Sequence, residues 1–237
     1  MDKIEQIRQN RDNPEVLAKL LPIIQCSFTP SRYESILMTR LRDKDSSTAV
    51  FRDASKKIGE LLVAKMIDHC FPACPIEIET LLTNCLGEKL ASNINLVSIM
   101  RSGDALLDAF MYHFPDANVS KILVQRDEQT AEAHFIYLKF SPTIADGQFV
   151  VITEPMIATG GTLDIVISML KDKGVREENI IIASICAAPE GLLELNEKYP
   201  HIRVIMTVLD ERLNDKKYIV PGLGDFGDRY FGITKAE

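Results

Sequence analysis

The sequence has no apolar run near the ~18 residues needed to cross a bilayer. Its 237 residues also hold no internal repeat, low-complexity tract or Gly/Ser linker. A membrane span, a solenoid and a flexible multidomain array are therefore not expected. Blocks of like charge are missing too. With 27 Lys+Arg against 34 Asp+Glu the net charge is −7, so no concentrated basic face offers itself to nucleic acid or to a membrane surface. A local basic pocket for a small anion is still compatible with that total. The first residues, Met1-Asp2-Lys3-Ile4-Glu5, lack an apolar stretch behind a basic start, and a secretory signal is not expected. The five cysteines, Cys26, Cys70, Cys74, Cys85 and Cys186, form no CxxC pair and no disulfide framework, which points to reduced thiols in a cytoplasm. His69, Cys70, Cys74 and Cys85 lie close enough in sequence to suggest zinc. Without a CxxC pair, small buried thiols are the simpler reading, and no metal ligand is assigned.

What is present is ordinary for a packed domain: 46% hydrophobic and 26% charged residues. The length fits one α/β domain with an arm or two. The first ~30 residues, broken at Asn13-Pro14 and Thr29-Pro30, read as a helix or two and a loop. From Ser47 to Asp68 apolar residues (Val50, Phe51, Ala54, Ile58, Leu61, Leu62, Met66) recur at three- and four-residue intervals, which predicts a long helix. Residues 76–94 read as strands or hairpins with no clear face. Beyond them, Asn95–Met100, Ile122–Val124, Phe135–Phe140, Phe149–Thr153, Ile180–Ala187 and Arg203–Leu209 read as strands. Helical spacing covers Gly103–Phe114, Leu163–Lys173 and Glu190–Lys198. Strands apolar on both faces, alternating with helices, predict a mainly parallel sheet covered on both sides. Ligands of such sheets bind beyond the strands' carboxyl ends.

The unusual residues fall at those ends. Phe149–Thr153 runs into Glu154-Pro155-Met156-Ile157-Ala158-Thr159-Gly160-Gly161-Thr162. Two glycines let amide N–H groups crowd round an anion, and the following helix adds the positive end of its dipole. The Thr159 and Thr162 hydroxyls can donate as well. Taken alone, Ala-Thr-Gly-Gly-Thr is equally an ordinary strand-to-helix turn. Glu154 favours the ligand reading, because a carboxylate at the strand end is placed to accept from ribose hydroxyls while the loop holds a phosphate. No lysine follows the glycines, so this is not a Walker A loop. Arg101 and Arg126 each follow an apolar strand. Singly they would read as surface ion pairs; their shared position points to anion binding. Near the C-terminus, Tyr218-Ile219-Val220-Pro221-Gly222-Leu223-Gly224-Asp225-Phe226-Gly227-Asp228-Arg229 carries too many glycines to pack a core or hold a helix, and reads as a loop with exposed backbone groups.

The strand–acid–loop at 149–162 resembles the phosphoribosyl pyrophosphate motif of type I phosphoribosyltransferases. Pro155-Met156 and the loop at 218–229 resemble the uracil phosphoribosyltransferases, and the likeness covers residues 28 to 233. It implies a single domain over residues 28–237, with residues 1–27 as an N-terminal extension and a β-hairpin arm on the sheet. It also implies an activity: uracil and phosphoribosyl pyrophosphate give UMP and pyrophosphate, as in pyrimidine salvage. Arg101, Arg126, Glu154, the loop Met156–Thr162 (with Ile157, Ala158, Thr159, Gly160 and Gly161) and Asp225 would contact phosphoribosyl pyrophosphate. Arg101, Arg126 and Asp225 would serve catalysis. Tyr218, Ile219, Gly224, Asp225 and Phe226 would contact uracil, largely through main chain. Mg²⁺ would accompany the doubly charged substrate, and a homodimer or higher homo-oligomer is implied. The chain departs from the family pattern at Glu154 (commonly Asp), Ser102 (often Ala) and Phe226 (often Ala), and Asp104 adds a carboxylate beside the anion site. The alternative is a catalytically weak or inactive nucleotide-sensing regulator on the same fold. None of the four histidines (His69, His113, His134, His201) lies in a motif, so no base for uracil is assigned.

Overall fold

The computed structural model describes residues 2–25, 30–91, 93–126 and 133–233. Local caps start its first helices. Asp2 precedes α1 (Lys3–Gln9), and Asn13 precedes α2 (Pro14–Leu20), where Pro14 sits at a position whose N–H needs no partner. Ser31 and Glu34 form a capping box on α3 (Arg32–Arg42), a helix the sequence reading did not single out. Ser47 caps α4 (Thr48–Cys70), which buries Phe51, Ala54, Ile58, Leu62 and Met66 on one face, as the spacing predicts.

An antiparallel hairpin follows, β1 (Ala73–Glu79) with β2 (Asn84–Leu90). It stands out from the body, and Leu81, Leu82 and Leu86 are exposed. Cys85 is exposed on it and Cys74 is only half-buried, so the expectation of small buried thiols fails for both; Cys70 and Cys186 are buried. The reason is that a two-stranded arm has no second layer to cover it. Among the described residues no cluster of three His, Cys, Asp or Glu stands ready for a metal ion, and no helix is long and apolar enough to cross a membrane.

The central sheet takes β3 (Ile94–Met100), β4 (Asn118–Arg126), β5 (Ala133–Lys139), β6 (Phe149–Thr153), β7 (Met156–Ile157), β8 (Ile180–Ala187) and β9 (Arg203–Leu209). Its order is β5-β4-β3-β6-β8, with β9 on the far side of β8 and β7 prolonging the β6 edge; every pairing is parallel except β4 with β5. Between strands run α5 (Asp104–His113), α6 (Gly161–Asp172) and α7 (Pro189–Lys198), each within about two residues of its predicted span. β8 is buried at every position, as a strand covered on both faces must be. One core layer joins Val97, Ile152, Ile182 and Val204 to α6 and α7; the other joins Leu96, Val151, Ile181 and Ile205 to α4 and α5.

The N-terminal segment belongs to the first layer: Ile7, Leu17 and Leu21 are fully buried there. Residues 23–25 lie along β9, with Val204 N donating to Ile23 O (2.7 Å) and Gln25 N to Val204 O (3.0 Å). The tail adds a small hairpin, β10 (Arg212–Leu213) with β11 (Ile219–Val220), and a short helix, α8 (Phe226–Phe231). That last helix corrects the reading of the glycine-rich stretch as loop alone. The Asp225 carboxylate accepts from Asp228 N (2.8 Å) and opens the turn. Phe226 and Tyr230, one turn apart, stack at 5.9 Å. Leu223 and Phe226 are 2% and 3% exposed, so this stretch does pack a core.

Candidate active site

A cleft of about 370 Å³ opens at the carboxyl ends of β3, β4 and β6, opposite the tail. Its sheet wall is built by two strand-to-helix turns. At the first, β3 runs through Met100, Arg101 and Ser102 into α5. Gly103 is required there because a Cβ would stand 2.3 Å from the Thr153 carbonyl of the neighbouring strand. At the second, β6 ends in Glu154 and passes through Met156, Ile157 and Ala158 into α6. Gly160 takes φ 80°, a region that favours glycine, and turns the chain so that α6 begins at the cleft. The tail wall is Lys217, Tyr218, Gly224, Asp225, Phe226 and Gly227. The peptides Met100–Arg101 and Val220–Pro221 are cis.

The sequence-derived candidates converge. Arg101, Glu154, Met156, Ile157, Ala158, Gly160, Thr162, Tyr218, Gly224, Asp225 and Phe226 all line this one cleft. Thr159 and Gly161 instead line an adjoining depression of about 760 Å³ behind the loop, and Thr159 Oγ1 accepts from Gly161 N (3.4 Å). Ile219 does not reach the surface; it is buried beneath the tail wall. Arg126 ends β4, whose Val124 lines the cleft, and its side chain lies outside the described part.

The charges are arranged economically. Ser102 Oγ donates to Glu154 Oε1 at 3.1 Å, which links the two turns. Arg101 is half-exposed and pairs with Asp228 on α8 at 3.1 Å, its guanidinium 5.9 Å from the Phe231 ring. Asp104, the carboxylate that the sequence puts beside the anion site, is taken up elsewhere. It accepts from Ser98 Oγ (2.6 Å) and Lys121 Nζ (2.9 Å) and is not part of the cleft lining.

Two arginines that the sequence reading did not assign hold the tail wall. Arg42 donates to both oxygens of Asp210 (3.1 and 2.5 Å) and to Gly222 O (2.8 Å), while Asp210 also accepts from Gly222 N (3.0 Å). Burial opposes the Arg42 charge, but the bonds to Asp210 outweigh it and hold the guanidinium above its ordinary value. Arg229 donates to the carbonyls of Leu41, Leu223 and Asp43 and lies 4.5 Å from the Phe51 ring. The Phe226 ring meets Phe51 edge-on at 5.1 Å, pointing into the core, so its backbone is what the cleft can read. One available signal was the position of Asp210, an acid directly after an apolar strand, like Glu154.

A mainly parallel α/β sheet, a strand-end carboxylate and a glycine turn opening a helix at the cleft define the class as type I phosphoribosyltransferase-like. A family model described as uracil phosphoribosyltransferase matches residues 29–233. The chain belongs to that family. It is 39% identical over 198 residues to the uracil phosphoribosyltransferase of Dictyostelium discoideum, covering 83% of this chain and 90% of that protein. With the Mesoplasma florum uracil phosphoribosyltransferase it shares 36% over 208 residues, covering 87% and 99%. Among solved structures, the AQ2163 protein from Aquifex aeolicus superposes with a TM-score of 0.78 at 31% identity, covering 90% of this chain and 100% of that one.

Proposed function

We propose that this chain transfers ribose 5-phosphate from phosphoribosyl pyrophosphate to uracil, releasing pyrophosphate and forming UMP, a step of pyrimidine salvage. The observation that carries the reading is the sharing of one cleft by Gly160 and Thr162 on one wall and Gly224–Phe226 on the other. In this reading the α6 amides and Thr162 seat the 5-phosphate, and Glu154 accepts from the ribose hydroxyls. Arg101 and Arg126 receive the pyrophosphate, Arg101 exchanging Asp228 for it. The main chain of Gly224 and Phe226, with Tyr218 beside them, faces the base, and the buried Ile219 supports that wall. The C1–oxygen bond breaks, its electron pair leaving with the pyrophosphate, as uracil N1 forms the new bond to C1 and its proton passes to solvent. Positive charge grows on the ribose and negative charge on the leaving group, so catalysis is chiefly electrostatic and positional.

Mg²⁺ belongs to this proposal as part of the substrate complex. Among the described residues two carboxylates line the cleft, Glu154 and Asp225, which suits an ion held mainly by substrate oxygens and water. A homodimer or higher homo-oligomer and a cytoplasmic location complete the proposal. The exposed leucines of the β1–β2 arm support the first, and the thiols of Cys74 and Cys85, held in no disulfide, the second. The test is a product assay with phosphoribosyl pyrophosphate across uracil, cytosine, hypoxanthine and orotate. UMP with uracil and negligible nucleotide from the others is expected; failure to release pyrophosphate with uracil would end the proposal.

A further inference from the structure

Lys217 is the non-glycine residue that takes a positive φ (64°) among the described residues. A side chain is disfavoured in that region, where glycine is at ease. The turn between β10 and β11 imposes it. Lys217 N donates to Asn214 O (2.9 Å), Asn214 N donates to Tyr218 O (2.8 Å), and the Asn214 side chain accepts from Lys216 N (3.0 Å) and Tyr218 N (2.9 Å). The Cα of Lys217 is thus pinned where glycine would close the turn with less strain.

Its position is unusual in a second way. Lys217 lines both the cleft, with Gly160 and Thr162, and the depression behind the loop, with Thr159 and Gly161. It therefore flanks the phosphate loop from the tail side. Among the described residues the other cations lining the two spaces are paired in this state, Arg101 with Asp228 and Lys198 with Asp164 and Glu194. The carboxylates Glu197 and Asp215 also border the depression, but no ion pair ties Lys217 among the described residues. A helix N-terminus offers only about half an elementary charge, whereas a phosphomonoester carries nearly −2 at neutral pH. A flexible four-carbon ammonium beside the loop can make up the difference.

We propose that Lys217 is a further binding residue of this site, its ammonium closing over the 5-phosphate from the tail wall. This rests on the reading of the cleft as a phosphoribosyl site. The test pairs calorimetric titration of ribose 5-phosphate with steady-state kinetics on wild type, K217M, K217R and K217G. K217M is expected to bind ribose 5-phosphate about tenfold more weakly or worse, as for loss of one charge-assisted hydrogen bond. KM for phosphoribosyl pyrophosphate rises in parallel while kcat stays within about twofold. K217R retains most of the affinity. K217G melts above K217M, because the turn relaxes, yet binds as weakly, which separates charge from backbone. Ribose 5-phosphate affinity of K217M within about twofold of wild type, in an enzyme that still makes UMP, overturns the Lys217 assignment alone; so does wild-type affinity in K217G. A wild type that neither binds ribose 5-phosphate nor makes UMP overturns the reading of the whole cleft.

Discussion

The two walls of the cleft are fastened by different means. The phosphate-loop wall is an extension of the sheet. Glu154 N donates to Ala183 O (3.1 Å), Ile185 N and Cys186 N to Pro155 O (2.9 and 3.1 Å), and Ala188 N to Ile157 O (2.8 Å), so β8 templates the loop through its backbone. Among the described residues the tail wall has no strand of the central sheet behind it; its backbone pairs within its own short hairpin, Glu211 N donating to Val220 O (2.9 Å) and Asn214 N to Tyr218 O (2.8 Å). Side chains fasten it to the body: Arg42 with Asp210, Arg229 on three carbonyls, and the Phe51–Phe226–Tyr230 ring cluster. The lesson is that main-chain bonds to β8 set the path of the first wall, whereas the attachment of the tail wall depends on a few specific side chains.

The sharpest way to break this contrast is Arg42→Ala. It strands the Asp210 carboxylate, whose side chain is 1% exposed, and should cost about 3–4 kcal/mol in denaturant unfolding. In whatever folds, KM for uracil should rise more than KM for phosphoribosyl pyrophosphate; an equal rise would mean the walls are not independently fastened. Phe226→Ala should cost about 3 kcal/mol through lost ring packing. If the base is read by main chain, KM for uracil at low temperature should change less than about threefold, a fall of about 1 kcal/mol or less in binding. Arg101→Ala, at the seam between the walls, should lower kcat about 10²-fold, near 2.7 kcal/mol, with unfolding midpoints unchanged. The smallest effect is expected for Asp164 on α6. Burial pushes its carboxyl up, but hydrogen bonds from Tyr199 and Lys198 outweigh that and hold it below the ordinary range. A folded pKa below the unfolded one means its stabilisation is present above about pH 4 and is lost as pH falls further. Asp164→Asn should therefore cost under ~1 kcal/mol at pH 7, and the difference from wild type should shrink on acid titration.

The templated wall is also the legible one. Glu154, Gly160 and Thr162 follow an apolar strand in unbroken sequence, so periodicity and turn chemistry alone put them at one sheet edge. Arg42 and Asp210 are 168 residues apart, and no local pattern encodes their meeting. The same holds for Arg229, which spans to Leu41 and Asp43 on the other side of the chain's path. The helix α8 was hidden because glycine content argued against it, while its stability comes from a cap and aromatic packing rather than propensity. Lys217 escaped for a related reason: its positive φ is set by hydrogen bonds to Asn214, not by its own residue type.

The family model begins at residue 29, yet the segment before it supplies buried side chains and lies along β9. A bare outer strand offers unpaired amides and carbonyls to any other extended chain. Residues 23–25 occupy the backbone of Val204 on that edge, which takes those groups away from any other chain. Deleting residues 1–25 uncovers both that edge and the core face under Ile7, Leu17 and Leu21, and should give a protein that clumps, with turbidity and light scattering above those of wild type at equal concentration.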